Sequence, residues 1–253
     1  MGILNVTPDS FSDGGKYLHL DAAMQQAEKL AADGADIIDV GAESTRPGHT
    51  PVEPEEELAR LEPILGRLAS SIDVPVSIDT SKAKVARRAT ELGVSVVNDV
   101  WGLQKDPAMA ETVAETGAAV VLMHNRDGVD YGLDIVADMR RFFDRSLRLA
   151  ADASIPSARL ILDPGIGFGK SRDQNFTALA NLAALKDYGV PILIGVSRKS
   201  LLAGLTAAPG ETSLVRTLAA NLAAAANGAS IFRVHDVAEH AAAFKVFDAI
   251  ARR

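Results

Sequence analysis

The chain has 253 residues, 47% hydrophobic and 23% charged, a composition suited to a compact fold with a sizeable core. Its formal net charge is −7 and no block of Lys or Arg forms a stripe, so a nucleic acid would be repelled over most of the surface. The lack of cysteine excludes disulfides, thiolate nucleophiles and Cys-type zinc sites.

Short apolar runs rich in Val and Ile predict strands at 2–6, 36–40, 74–78, 94–97, 118–122, 159–162, 191–196 and 229–234. Segments with helical spacing lie between and after them, at 20–32, 54–70, 82–92, 107–116, 134–152, 173–187, 212–226 and 236–251. Leu20 or Asp21 opens the first helix, and Pro54 with Glu55, Glu56 and Glu57 puts negative charge at the start of the second. Gly34, Gly93, Gly117, Gly189 and Gly228 stand where helices end, just ahead of strands. Near-continuous apolar strands covered by helices argue for a parallel sheet. Eight βα units in about 250 residues argue for one closed (β/α)₈ barrel, a single domain over 1–253, with an open doubly wound sheet as the alternative.

No basic leader precedes an apolar stretch, and no uninterrupted apolar run approaches the roughly 18 residues of a membrane span. The cytoplasm is the expected compartment, and no membrane partner is expected. The most hydrophobic stretch, Leu214 to Ala226, is Ala-rich and interrupted by Arg216, Thr217 and Asn221, as a packed helix would be.

The unusual loops, 7–19, 41–53, 124–133 and 197–211, all follow strands, on the face where a barrel carries its active site. Polar residues close the strands: Asn5, Asp39, Asp79, Asn98 with Asp99, His124, Asp163, Ser197 with Lys199, and Arg233 with His235. They are expected to face one shared pocket. Alternation groups Ser77 with Asp79, Ile161 with Asp163, Gly195 with Ser197 and Lys199, and Arg233 with His235. Two chemical jobs emerge. Asp79, Asn98 and Asp163 suit a flat heterocycle bearing amino and ring N–H groups, whereas Lys199, Arg233 and His235 suit an anion.

In "GAESTRPGHT" (41–50), Ser44, Thr45 and Arg46 stand between glycines, and Arg46 offers a bidentate fork for a phosphate. Phe11, an aromatic in a small-residue loop, is a candidate cover for a bound ring or an anchor of the loop itself. "DPGIGFGKS" (163–171) fails as a P-loop, since Pro164 stands where the first glycine belongs. Trp101 reads as packing. His240 lies on the helix after His235 and reads as surface, which leaves no metal pair in "VHDVAEH".

Seven ordered motifs now align. "NVTPDSFSDGG" (5–15), "GAESTRPG" (41–48), "SIDT" (77–80), "VVND" (96–99), "LDPGIGF" (162–168), "SRKS" (197–200) and "RVHD" (233–236) resemble those of the dihydropteroate synthases, targets of sulfonamides in folate synthesis. They span residues 5 to 236, essentially the whole chain. The resemblance implies a transferase that joins 6-hydroxymethyl-7,8-dihydropterin diphosphate to 4-aminobenzoate. Carried over position by position, it implies that Asp79, Asn98, Asp163 and Lys199 hold the pterin. It implies Asn5 as a contact for Mg²⁺, and Thr45, Arg46, Arg233 and His235 as contacts for the diphosphate. Phe11, Pro47, Ser197 and Lys199 would form or border the aminobenzoate pocket. Asp79, Asp163, Lys199 and Arg233 would carry the catalysis, by diphosphate loss followed by amine attack, with no covalent enzyme intermediate. A homodimer is implied too, for which the Ala-rich segment 212–226 offers a close-packing face.

The sequence departs from the family twice. Its members carry a short extension before the first strand, so the barrel floor is where a difference is expected, and "MHNRDGVDYG" (123–132) is shorter and more charged than their pattern. Two other readings share the pterin ligands. A pterin-dependent corrinoid methyltransferase has no need of Thr45, Arg46, Lys199, Arg233 and His235, and a non-catalytic paralogue would have lost at least one of them.

Overall fold

The structure, a computed structural model, describes residues 1–6, 16–43, 52–203, 205 and 213–251, with the backbone alone for 16–19. Strands and helices alternate in chain order: β1 (Gly2–Asn5), α1 (Lys16–Ala32), β2 (Ile38–Gly41), α2 (Pro54–Ser71), β3 (Val76–Asp79), α3 (Ala83–Glu91), β4 (Val96–Asp99) and α4 (Met109–Thr116). The second half continues with β5 (Ala119–Met123), α5 (Ile135–Asp152), β6 (Leu160–Asp163), α6 (Arg172–Ala180), β7 (Leu193–Ile194), α7 (Ser213–Ala226), β8 (Ile231–Phe232) and α8 (Val237–Ala251).

β1 to β6 form one parallel sheet in sequence order, and β7 pairs with β8. Bridges Leu162–Ile192 and Gly2–Val234 join the two pieces on both sides. Arg233 N donates to Ile194 O at 2.9 Å and Ile3 N to Val234 O at 3.0 Å, so the ring of eight closes as a (β/α)₈ barrel.

Parity along the strands decides what faces inward. Val96, Val121 and Leu193 pack with Met1 against Ile37, Ala119, Ile161 and Ile231, an apolar plug inside the lower barrel. Their strand neighbours Val97, Val120, Leu122, Ile38, Val40 and Ile194 belong to the outer core beneath the helices. Two residues above Ile37, Val96, Val121, Ile161 and Ile231 of the plug, the same inward rows carry Asp39, Asn98, Met123, Asp163 and Arg233, and Asp79 joins them in register with Asn98, two residues above the polar Ser77. The polar site is therefore a layer laid on an apolar floor.

Local chemistry explains most boundaries. α2 opens with Pro54 in its first turn and Glu55, Glu56 and Glu57 behind it, and α6 opens on a capping box between Ser171 and Gln174. All five glycines expected at helix ends have positive φ, from 68° at Gly189 to 105° at Gly228. Three expectations shift. α1 starts at Lys16, four residues before Leu20. The segment 173–187 divides into α6 and a 3₁₀ stretch, Leu182–Tyr188, with Asn181 between them. The strands expected at 191–196 and 229–234 shrink to two ladder residues each, their flanks joined by single bridges and hydrogen bonds. Among the described residues no helix is long and apolar enough to cross a membrane.

Candidate active site

Arg233 organises the polar layer. Its Nε donates to Asp39 Oδ2 at 2.6 Å and its Nη2 to Asp79 Oδ2 at 3.0 Å. The same Asp39 oxygen accepts from Asn98 Nδ2 at 3.2 Å. Burial works against the guanidinium's charge, but the two carboxylates outweigh it and hold Arg233 above its ordinary range. Burial also pushes the Asp79 carboxyl up to about 7, with Arg233 pulling against it. Among the described residues, Asp39 Oδ1, Ser77 Oγ and Asp79 Oδ1 are buried without a hydrogen-bond partner. Orphan oxygens of this kind cost roughly 1–3 kcal/mol each, and such a cluster signals acceptors arranged for donors on a ligand.

Asp163 ends β6, across the layer from Asp79. Its Oδ1 accepts from Gly165 N at 2.7 Å, and burial raises its carboxyl against the pull of that N–H and of Lys199. Lys199 reaches back over this turn, donates to Ile166 O and stands 4.6 Å above the Phe168 ring. Gly167, at φ 89°, lets the lysine stem pass, because a Cβ there would come within 3.2 Å of Lys199 Cδ. Burial pulls the Lys199 ammonium down to about 8, and Asp163 resists.

Ser197 and His235 close the far side, with Ser197 Oγ 2.9 Å from His235 Nδ1 and accepting from His235 N at 3.2 Å. Asn5 ends β1 opposite Gly41, its side chain exposed at the rim. Thus Asn5, Asp79, Asn98, Asp163, Ser197, Lys199, Arg233 and His235 gather at one end of the barrel. Phe11, Thr45, Arg46 and Pro47 lie outside the described residues.

Two members of the expected pocket turn away. Asp99 follows Asn98 and so faces outward, where it accepts from Trp101 N at 2.9 Å and Leu103 N at 2.7 Å, tying the loop after β4. His124 follows inward-facing Met123 and points into the helical layer, 3.2 Å from Asp138 on α5 and edge-on to Phe142. A further reading is corrected: His240 is buried, 2% exposed, with Nδ1 against Asp236 O and its ring beside Phe244.

Asp39, expected in the shared pocket but given neither chemical job by its residue type, is the partner of Arg233 and Asn98, and Lys170, set aside with the P-loop, is buried beside the site. Two-residue alternation places Asp39 on the same face as Gly41, so its direction was legible. The carbonyls around Lys170 come from main chain and leave no trace in residue types.

The geometry agrees with the comparisons. The pterin binding enzyme family matches residues 1–235. A dihydropteroate synthase of Clostridium beijerinckii is 46% identical over 254 residues, covering 100% of this chain and 94% of the relative. That of Bacillus subtilis is 42% identical over 253 residues, covering 100% and 88%. Among solved structures, a dihydropteroate synthase of Clostridium difficile with pteroic acid superimposes at TM-score 0.95, with 47% identity and coverage of 100% and 96%. One from Xanthomonas albilineans with 4-aminobenzoic acid gives TM-score 0.92, with 44% identity and coverage of 99% and 92%. With this barrel, this polar layer and this degree of identity, the chain belongs to the dihydropteroate synthase family of pterin-binding enzymes.

Proposed function

We propose that the chain catalyses its family's condensation, in which 6-hydroxymethyl-7,8-dihydropterin diphosphate and 4-aminobenzoate give 7,8-dihydropteroate and pyrophosphate. One observation carries the reading: Asp79, Asn98 and Asp163 stand in one buried layer, with Arg233 and Lys199 beside them and the apolar plug beneath. A pterin edge meets acceptors and the Asn98 amide there, while Lys199 borders the ring. Arg233, His235, Thr45 and Arg46 take the diphosphate, and Phe11, Pro47 and Ser197 border the amine's pocket.

The reaction breaks the C–O bond between the pterin methylene and the diphosphate, and the electron pair leaves with the phosphate oxygen. Asp79 and Asp163 stabilise the positive charge that spreads from the methylene into the ring. Arg233 stabilises the departing anion, and its tether to two carboxylates aims the guanidinium before substrate arrives. The amine nitrogen of 4-aminobenzoate then forms the new C–N bond and releases its proton to solvent or to the diphosphate. No enzyme nucleophile takes part.

Mg²⁺ belongs to the same proposal. A single amide oxygen, from Asn5 at the rim, fits a hard cation carried largely by substrate phosphates and water. When bound, it would neutralise charge growing on the leaving group. A homodimer is also proposed, supported by an apolar groove between α6 and α7 that includes Leu179, Leu202, Ala219 and Val215, the last 55% exposed. Cytoplasmic residence is proposed with it.

Incubation with both substrates, followed by mass spectrometry, is expected to give 7,8-dihydropteroate. Lys199→Ala should lose most of that turnover while keeping its melting curve. No product under any metal condition, or wild-type turnover in the variant, would contradict the reading.

A further inference from the structure

We propose that Lys170 is a positioning residue for pterin binding, acting through the turn that presents Asp163 and Lys199; this rests on the functional reading above. Lys170 is 7% exposed, and its Nζ donates to Gly165 O at 2.7 Å and Phe168 O at 3.1 Å, with His124 O at 3.4 Å. Three protons of one ammonium thus meet three main-chain carbonyls. Burial pulls this ammonium down to about 7 while Asp163 holds it up, so the arrangement is costly for a lysine with no other task.

What the lysine ties together is the segment Asp163–Phe168, and each of its outputs reaches the site. Gly165 N fixes one oxygen of Asp163, Ile166 O receives the Lys199 ammonium, and the Phe168 ring lies under that same ammonium. Asn175 on α6 holds the other side of the turn, accepting from Gly167 N at 2.6 Å and donating to Lys170 O at 3.3 Å. The turn is pressed against the end of β5, for a Cβ on Gly165 would lie 1.9 Å from His124 O. Without the cation three carbonyl dipoles face one another across its place, and the turn opens in the direction that withdraws both pterin ligands. Lys170 touches no substrate in this scheme.

The test uses the full chain with Lys170→Ala and Asn175→Ala. In Lys170→Ala the dissociation constant for 6-hydroxymethylpterin and the KM for the pterin diphosphate should rise roughly 10- to 100-fold, the range expected when a ligand's hydrogen bond to a charged group is lost. The KM for 4-aminobenzoate at saturating pterin diphosphate should rise far less, since Lys199 alone of that pocket's residues is held by the turn. Methylammonium should restore pterin affinity to Lys170→Ala by refilling the carbonyl cage, and leave the wild type unchanged. Asn175→Ala, which frees Gly167 N but keeps the cation, should show a smaller loss of the same kind, and it carries the test should Lys170→Ala not fold. A folded Lys170→Ala protein with wild-type pterin affinity would overturn the inference, as would equal losses for both substrates that methylammonium does not reverse. A wild-type chain that bound no pterin would overturn the functional reading as well.

Discussion

Replacing Asp39 by Asn probes how the polar layer is held. Asp39 is completely buried, and one of its oxygens accepts from Arg233 at 2.6 Å and from Asn98 at 3.2 Å. Asparagine keeps the shape and removes the charge. Breaking a buried pair by removing one partner costs about 3–5 kcal/mol when the other charge is stranded. Here Arg233 keeps Asp79 at 3.0 Å and its side chain is 21% exposed, which lowers the expected loss. We expect about 2 kcal/mol, between a lost charge-assisted hydrogen bond and a stranded ion. For a chain of this size that is a fall in melting temperature of roughly 4–8 °C. Thermal and urea melts of the wild type, Asp39→Asn, Arg233→Met and the double variant give the coupling, expected at about 1–3 kcal/mol. A coupling of zero, or a wild-type melting point in Asp39→Asn, would refute the claim that Asp39 tethers Arg233.

Gly165→Ala should abolish pterin binding and strongly destabilise the fold, since its φ is 63° and the new Cβ meets His124 O at 1.9 Å; a soluble, active variant with an unchanged melt would show that the turn has slack. Turnover should follow a bell in pH: Asp79 becomes a carboxylate only as pH rises through about 7, and Lys199 loses its ammonium above about 8, so kcat/KM flat from pH 6 to 9 would contradict these roles. His124, drawn down to about 3 by burial and the nearby Lys170, stays neutral in the fold while the unfolded chain takes up a proton below about 6.5. Its contribution to stability is therefore complete above 6.5 and lost as pH falls towards 3; the acid slope of the melting temperature should weaken in His124→Asn, and an unchanged slope would count against it.

The barrel was legible because alternation of apolar runs and helical spacing survives in residue types, and because five helix-ending glycines mark the chain's return to each strand. The margins were less so. The first turn of α1, "KYLH", lacks a cap signal of its own, and β7 and β8 owe their places to bridges with neighbours more than to their own residues. Within the site, Asn98 and Asp99 look alike in sequence, and only parity relative to the plug residue Val96 sends one inward and the other to the loop. The same test sends Met123 in and His124 out. His240 reads as surface because its burial comes from tertiary packing beside Phe244, which is itself stacked on Phe232. Lys170 was unreadable for a different reason, as its partners are carbonyls that every residue possesses.

The most direct test of the central claim is to follow pyrophosphate release and C–N bond formation in the same reaction. With both substrates and Mg²⁺, one pyrophosphate should appear for each 7,8-dihydropteroate formed, and both signals should be lost together in Arg233→Ala. Pyrophosphate released without any dihydropteroate while 4-aminobenzoate is saturating, or no release from the wild type at all, would contradict it.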